Sequence, residues 1–351
     1  MSIFAITLLK WFREHGRDLP WRQTRDPYAI WLSEVILQQT QVKQGWDYWL
    51  RFMRRWPTVA DLAAATEDEV LRQWQGLGYY SRARNLHAAA RQIIAAGGFP
   101  TTIEGLRALK GVGDYTAAAI GSIAFDLPAA VVDGNVYRVL ARHYGIATPI
   151  NTTEGKHEFA ALAQSLLPEA EASAYNQAIM DFGATQCTPQ SPDCDTCPLQ
   201  ETCAAFREGR IGELPVKRRT LKVKERHLIY VYVRCNGYTA IHRRPAGDIW
   251  QGLYEPLCVE DSNLSPLSSL PSPLSSLLSP LKLNVKHVLT HRIIYADFYL
   301  LEADERPALP VGYFWIPEAA LGDYAVPRLI EILLEELRAE RWKVRGERCE
   351  V

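Results

Sequence analysis

The sequence has no long hydrophobic run and almost no net charge. Across 351 residues, 39 Lys and Arg oppose 40 Asp and Glu, which gives a formal net charge of −1 at pH 7. A nearly neutral chain has no global field for nucleic acid, so any DNA-binding surface must be local. No apolar run is long enough to cross a bilayer, which predicts no membrane association. The first ten residues have no basic segment ahead of their apolar one, so we expect no signal peptide and a cytoplasmic location.

Cysteine is scarce, with seven in the chain, and four of the seven lie in one short segment. The odd number and the expected cytoplasmic location argue against a disulfide framework. Six, two and five residues separate successive members of this cysteine cluster, which consists of Cys187, Cys194, Cys197 and Cys203. Four thiolates so close in sequence can hold an iron–sulfur cluster. Zinc is the alternative, although zinc sites usually contain two Cys-x2-Cys pairs and this segment contains one.

The length predicts two domains, and the periodicity of the apolar residues tells them apart. Residues 1–206 are predicted to be all-α, because apolar residues recur there at three- and four-residue steps. Residues 227–351 alternate between apolar and polar, which predicts an α+β domain with a last helix near 326–341. Between them, 207–226 is a basic linker, either a solvated connector or a strap on phosphates. The tract 262–280 is rich in Ser, Pro and Leu, so we expect a poorly ordered, low-complexity loop. Within residues 1–206, the helical period of apolar residues is seen in 3–12, 29–42, 46–56, 67–74 and 81–96.

Two glycines, Gly111 and Gly113, lie between an amphipathic run and a run of small helix-forming residues. Glycine allows positive φ and close approach to another chain. The helix after Gly113 begins with unpaired amides, which makes its first turn an anion site. The pattern indicates either a helix-hairpin-helix that binds a nucleic-acid phosphate or a plain turn between two helices.

Two carboxylates stand in unusual sequence surroundings. Glu34 lies within an apolar stretch, and Asp133 lies between an apolar run and a glycine, about 20 residues after the hairpin. Burial raises a carboxyl pKa and favours the protonated form that a general acid needs, whereas the alternative is a Glu on the polar edge of a helix. One acid and one carboxylate are the pair used to break glycosidic bonds. Glu34 would protonate a purine leaving group, and Asp133 would face the anomeric carbon of the sugar.

The hairpin, the spacing and the aspartate together resemble the helix-hairpin-helix DNA glycosylases of the endonuclease III superfamily. The runs 31–42 and 75–86, with the Gly-Val-Gly-Asp-Tyr-Thr-Ala hairpin, are similar to the A/G-specific adenine DNA glycosylases, the MutY family. This resemblance implies a monomeric enzyme that removes adenine mispaired with 8-oxoguanine, or less readily with guanine, from double-stranded DNA. The cysteine spacing matches the [4Fe–4S] site of the same superfamily, which implies that cofactor.

The resemblance also implies roles for single residues. Glu34 matches the catalytic acid and Asp133 the carboxylate that stabilises the oxocarbenium ion, while Tyr115 and Asn135 match positions that orient the adenine, the sugar and the aspartate. In relatives that also cut DNA, a Lys stands at the position of Tyr115 and forms a Schiff base. A tyrosine there implies a glycosylase without strand cleavage.

Further positions match contacts to the base and the duplex. Arg22 and Gln177 match the lining of the adenine pocket, although a Glu is familiar at the second position. Three others match residues that wedge into the duplex around the partner base: Gln39, Leu77 and Tyr79. A wedge is physically sensible, because flipping a base out of the stack leaves a gap to fill.

The stretch 244–255 resembles the first strand and loop of the Nudix-like domain found in this family. Pro256 and the Ser/Pro tract follow, so the Glu-rich metal box of a Nudix hydrolase is absent. The resemblance therefore implies recognition of the base opposite adenine rather than nucleotide hydrolysis. The family reads that base with a Phe-Ser-His loop, which Leu289, Thr290 and His291 match; the alternative is two histidines at the end of a strand.

Two other functions are compatible with parts of the pattern. One is an endonuclease III-type pyrimidine glycosylase/lyase, against which Tyr115 and the second domain argue. The other is a non-catalytic iron–sulfur protein that binds DNA, against which the pairing of Glu34 with Asp133 argues.

Overall fold

A computed structural model describes residues 1–218, 223–260 and 278–347. The chain divides into two compact units, Met1–Ala65 with Asn85–Arg219, and Thr66–Arg84 with Thr220–Val351. The sequence pattern did not predict that the segment Thr66–Arg84 belongs with the C-terminal residues, because helical periodicity carries no information about distant partners. Among the described residues, no helix is long and apolar enough to cross a membrane.

The chain is helical from its first residues to Arg207, as the periodicity predicted. Helix α5 and the first residues of α6 belong to the second unit, and the other helices before residue 207 to the first. In chain order they are α1 Ile3–His15, α2 Pro27–Leu37, α3 Val42–Arg55, α4 Val59–Ala64, α5 Glu67–Trp74, α6 Ser81–Ala95, α7 Ile103–Arg107, α8 Asp114–Phe125, α9 Gly134–Tyr144, α10 Thr153–Leu166, α11 Ala172–Thr185 and α12 Ala204–Arg207.

The predicted helix over 29–42 was wrong in its extent. Helix α2 ends at Leu37, and α3 begins at Val42. Between them Gln39 has a φ of 55°, a left-handed conformation that an α-helix cannot continue through. The apolar period runs across both helices, so it did not reveal the break.

One hydrophobic cluster of the first unit is built mainly from α1, α8, α9, α10 and α11. Leu8, Leu140, Phe159 and Phe182 are among its buried members, and residues of the cysteine cluster pack against its edge. The starts of α8 and α9 are thereby fixed on one packed body, and both carry predicted site residues.

Among its described residues, the second unit contains a seven-stranded mixed sheet, which confirms the α+β prediction. Strands β3-β2-β1-β6-β5 lie in that order, while β4 pairs with β1 and β7 with β2. Strands β1 and β6 run parallel, and the other pairs are antiparallel. Leu329 and Leu333 of helix α13 pack on Phe298 of β6. The elements are β1 Lys224–Cys235, β2 Tyr238–Arg243, β3 Tyr254–Glu255, β4 Leu257–Glu260, β5 Leu278–Val288, β6 Arg292–Glu302, β7 Tyr313–Pro317 and α13 Arg328–Glu347.

Two predicted irregular segments extend into regular structure. Residues 262–277 of the low-complexity loop lie outside the described residues, but 278–280 belong to strand β5. Pro280 is tolerated there because β5 is an edge strand with a register shift next to this residue. The end of the predicted linker, 224–226, likewise forms the start of β1.

Candidate active site

Helix α2 holds Glu34 in apolar surroundings. Asp26 caps the helix by accepting a hydrogen bond from the Tyr28 amide, and Pro27 takes the first helical position, where no amide partner is needed. Every residue from Tyr28 to Ile36 is buried, including Glu34, which is 8% exposed. A carboxyl group in such a helix loses most of its hydration.

Tyr115 contacts this carboxyl group from the first turn of α8. Its hydroxyl donates a hydrogen bond to Glu34 Oε2 over 2.7 Å and lies 3.4 Å from the sulfur of Met180. Burial raises the pKa of the Tyr115 phenol well above its usual value, and the neighbouring carboxylates raise it further. The phenol therefore keeps its proton and remains a donor.

Asp133 is the N-cap of α9, which fixes the orientation of its side chain. Oδ1 accepts hydrogen bonds from the amides of Asn135 at 2.9 Å and Val136 at 2.8 Å. Oδ2 accepts from the side-chain amide of Asn135 at 2.8 Å. Three N–H donors thus hold the carboxylate, and the first helical turn adds a favourable dipole.

Burial raises the pKa values of both carboxyl groups, but different interactions counteract the rise at each of them. Burial raises the pKa of Glu34 to about 7; the Tyr115 hydrogen bond opposes this, the charge of Asp133 adds to it, and Arg22 opposes it. Burial also raises the pKa of Asp133, but its hydrogen bonds from Val136 and Asn135 counteract that rise. Glu34 therefore has the environment expected for a proton donor, whereas the three N–H donors at Asp133 favour its ionised form.

A cavity of about 950 Å³ in the first unit brings the predicted site residues together. Its lining includes both carboxyl groups, Tyr115 and the polar side chains that the resemblance placed around adenine. The predicted residues that line it are Arg22, Glu34, Gln39, Tyr115, Asp133, Asn135 and Gln177. Gln177 is held from within its own helix, since its amide nitrogen lies 3.2 Å from Ser173 Oγ.

The hairpin glycines differ from each other in conformation. Gly111 has a φ of 77°, and a Cβ atom there would lie 2.7 Å from the Cβ atom of Asn85. Both the backbone conformation and the lack of space therefore favour glycine at this position. Gly113 has a φ of −99° and caps α8 without a side-chain hydrogen bond. Backbone amides of the first turn of α8 are thus left for another acceptor, as the sequence pattern predicted.

The cysteine cluster is anchored to α9 by two arginines. Arg142 is buried and donates to the carbonyls of Thr188 at 2.7 Å and Pro189 at 3.1 Å, and it lies 3.4 Å from Cys187 Sγ. Arg138 donates to the Cys187 carbonyl at 2.7 Å and to Asn135 Oδ1 at 2.8 Å. The sequence reading missed this connection between the cysteine segment and the Asn135–Asp133 pair.

The donor set of this segment is four half-buried thiols, and thiolates are the ligands that hold iron–sulfur clusters. Burial raises the pKa of the Cys197 thiol to about 11, and the neighbouring thiols of Cys187, Cys203 and Cys194 add to that rise. An iron–sulfur cluster spreads its cysteine ligands over several irons, whereas zinc draws all its sulfurs to within about 2.3 Å of one centre.

A second cavity of about 640 Å³ lies within the C-terminal unit. Residues 76–81, which follow α5, form one side, and the turn between β5 and β6 forms another; Leu77, Tyr79, Leu289, Thr290 and His291 all line it. The hydroxyls of Tyr79 and Thr290 share a hydrogen bond of 2.5 Å. The turn is also tied to β1, because the Lys224 amide donates to the His291 carbonyl at 3.1 Å.

Two predicted wedge residues have strained backbones. Gln39 in the first unit has a φ of 55° and Tyr79 in the second a φ of 46°, and both side chains are exposed. Non-glycine residues in this region cost energy and tend to occur at functional sites. Leu77 differs from them, as it is buried with 8% exposure.

Comparisons with known proteins agree with this geometry. The family described as "HhH-GPD superfamily base excision DNA repair protein" matches residues 32–168, the "NUDIX domain" 229–336, and the "Iron-sulfur binding domain of endonuclease III" 187–203. The fold and its cavity thus define a base excision DNA repair protein of the helix-hairpin-helix superfamily, with an iron–sulfur domain that supports a [4Fe–4S] cluster.

Curated relatives narrow the class. Adenine DNA glycosylase of Buchnera aphidicola subsp. Baizongia pistaciae is 32% identical over 84% of this chain and 85% of its own length. That of Rattus norvegicus is 46% identical over 61% of this chain, which spans 44% of the rat protein. The chain belongs to the adenine DNA glycosylase family. It covers less than half the length of the mammalian relatives it matches.

Solved structures support the fold of the first unit. A "thermostable thymine-DNA glycosylase" is 31% identical, with a TM-score of 0.55, over 59% of this chain and 96% of that one. A "non-covalent Endonuclease III-DNA Complex" is 25% identical, with a TM-score of 0.52, over 59% of this chain and 94% of that one.

Proposed function

We propose that the protein hydrolyses the N-glycosidic bond of adenine mispaired with 8-oxoguanine, or less readily with guanine, in double-stranded DNA. The observation that carries this proposal is the buried Glu34 carboxyl, hydrogen-bonded to Tyr115 and sharing one cavity with Asp133. Such a pair suits acid-assisted departure of a base with stabilisation of the resulting cation.

Glu34 supplies the proton in this scheme. With a pKa of about 7, a large fraction of the group is protonated at neutral pH. Oε2 accepts the hydrogen bond from Tyr115, which leaves Oε1 to carry the proton to a ring nitrogen of adenine. Protonation turns the purine into a better leaving group, and the C–N bond electrons pass to the base as it departs.

Asp133 stabilises the positive charge that develops on the sugar. Three hydrogen bonds hold its oxygens in place, so the carboxylate needs no reorganisation as the bond breaks. Water then adds to the anomeric carbon and loses a proton, which leaves an abasic sugar. Arg22 and Gln177 bind the edge of the adenine in the cavity wall, which is large enough for a flipped nucleoside.

The C-terminal unit reads the base opposite adenine. Thr290 and His291 offer polar groups beside the apolar Leu289, and the Tyr79 hydroxyl is hydrogen-bonded to Thr290. Side chains that wedge into the duplex around that base are those of Gln39, Leu77 and Tyr79. Gly111 and Gly113 bring the first-turn amides of α8 to a DNA phosphate.

The iron–sulfur cluster would be held by Cys187, Cys194, Cys197 and Cys203. When bound it supplies a rigid charged centre that fixes the segment 187–203. Arg138 and Arg142 transmit that order to α9 through their hydrogen bonds. The enzyme acts as a monomer in the cytoplasm, and residues 1–206, 207–226 and 227–351 serve as glycosylase domain, linker and lesion-recognition domain.

A single-turnover assay on three duplexes tests the proposal. We expect release of free adenine from A:8-oxoG and A:G duplexes and no reaction on thymine glycol. Reaction on thymine glycol with strand cleavage would instead indicate a pyrimidine glycosylase/lyase. Binding to all three without release of any base would indicate a non-catalytic DNA-binding protein.

A further inference from the structure

A second buried carboxylate lies behind the wall of the catalytic cavity. Asp181, on α11, is 0% exposed and accepts hydrogen bonds from two arginines. Arg17 donates its backbone amide and its Nε, both at 2.9 Å, and a terminal nitrogen. Arg22 donates both terminal nitrogens, each at 2.7 Å, in a bidentate pair.

These contacts keep the carboxylate ionised. Burial alone would raise the pKa of Asp181, but hydrogen bonds from Arg22 and Arg17 bring it below its usual value. A buried charge without partners would be strongly unfavourable. The Asp181 carboxylate can stay ionised because both of its oxygens accept hydrogen bonds from arginines. Its hydrogen-bond donors are Arg17 and Arg22, so this ion pair is separate from Glu34 and Asp133.

The pairing fixes Arg22 in one orientation. Its guanidinium also donates to the Arg17 carbonyl at 2.9 Å and lies 5.4 Å from the centre of the Phe12 ring. Arg22 is 15% exposed in its side chain and lines the catalytic cavity. Three acceptors and a ring thus hold a cation against the space proposed for adenine.

The charge of Arg22 matters because it acts on Glu34. The charged and titratable groups that act on Glu34 are Tyr115 of α8, Asp133 at the start of α9, and Arg22. Arg22 favours the ionised form of Glu34, whereas a general acid must be protonated. An anion paired with Arg22 weakens this effect.

We propose that Asp181 is a positioning residue for the excision reaction: it orients Arg22 in the cavity wall and offsets the positive charge of Arg22 beside Glu34. This inference rests on the proposed function and adds a residue that contacts neither the base nor the sugar. Without Asp181, Arg22 would be free to pair with Glu34 and to favour its ionised form, which cannot donate a proton.

Single-turnover adenine release from an A:8-oxoG duplex, measured against pH, tests the assignment in the full-length protein. In Asp181→Asn the unbalanced Arg22 charge should move the alkaline limb of the profile to lower pH. A move of one pH unit lowers the rate about tenfold at a pH above both limbs. In an Arg22→Met background, Asp181→Asn should leave the limb unchanged, because its route to Glu34 is gone.

Two further variants separate this role from a general loss of folding. Glu171→Gln removes an exposed ion pair with Arg13 in the same unit and should leave the profile unchanged. Arg22→Met alone keeps Asp181 paired with Arg17 and should move the alkaline limb the opposite way, to higher pH. A limb that does not move in Arg22→Met overturns the proposed effect of Arg22 on Glu34 even where Asp181→Asn does not fold.

The outcomes distinguish this inference from the function beneath it. A wild-type protein that releases no adenine overturns both. A wild type that excises adenine, with Asp181→Asn matching its pH profile, overturns the positioning role alone. An Arg22→Met limb that stays in place or moves to lower pH overturns it as well.

Discussion

The hydroxyl of Tyr115 donates a 2.7 Å hydrogen bond to the buried carboxyl of Glu34. A lysine at this position would offer a nucleophilic amine, whereas the protein has a phenol with a raised pKa. The contact joins a phenol to the carboxyl group and offers no amine that can form a Schiff base. This hydrogen bond therefore leads to predictions about two parts of the proposed reaction, the protonation of the base and the nature of the product.

The first prediction concerns that product. The unmodified protein should leave an intact abasic strand that breaks only on treatment with alkali or heat. Borohydride should trap no covalent complex, whereas Tyr115→Lys provides the matched variant that puts an amine at this position. Efficient strand cleavage and trapping by the unmodified protein would contradict the assignment of Tyr115.

The second prediction concerns Asp133. Asparagine caps helices about as well as aspartate, so Asp133→Asn should keep α9 and the fold while removing the charge. Excision should fall at least about a hundredfold, the scale of losing one preorganised electrostatic group. DNA affinity should change little, because phosphate contacts supply most of it. An Asp133→Asn variant with wild-type single-turnover rates would show that this carboxylate does not act on the sugar.

The third prediction concerns the cysteine cluster. Purified protein should be yellow-brown with about four irons per chain. Cys197→Ser should lose the colour and most of its solubility, whereas Cys258→Ser, outside the cluster, should keep its iron. Metal analysis that finds stoichiometric zinc and no iron, in protein made with ample iron, would overturn the assignment.

The fourth prediction concerns His291. In 8-oxoguanine N7 carries a proton, so it donates a hydrogen bond where guanine accepts one. A side chain that meets this edge gains about 1–3 kcal/mol of discrimination. His291→Ala should therefore weaken the preference for A:8-oxoG over A:G, mainly in binding, and His157→Ala, an exposed histidine of the first unit, should not. Full retention of the preference would place recognition elsewhere.

Local sequence signals were enough to predict the helical first part, the α+β second part and the cysteine segment. The apolar residues around Glu34 predicted its burial, which its 8% exposure confirms. Each of these features is encoded by neighbouring residues, such as a period, a spacing or a carboxylate in an apolar run.

Features that depend on distant partners were not predictable in this way. The segment 66–84 joins the C-terminal unit through contacts such as that of Asp68 with the Tyr254 hydroxyl, at 3.0 Å. Asp181 meets Arg17 and Arg22, which lie far away in the chain. A carboxylate in the apolar run of α11 is the same kind of signal as Glu34 in α2, but its partners depend on the tertiary structure.

The fifth prediction, on Glu34, tests the central claim most directly: single-turnover release of free adenine from an A:8-oxoG duplex, at saturating protein, by wild type and Glu34→Gln across pH 5 to 9. Because burial raises the pKa of Glu34 to about 7, the wild-type rate should be highest below that pH and fall as pH rises through it. Glu34→Gln should bind the duplex yet lose excision by at least about a hundredfold, with no such pH dependence. A Glu34→Gln protein that releases adenine at the wild-type rate would contradict the account.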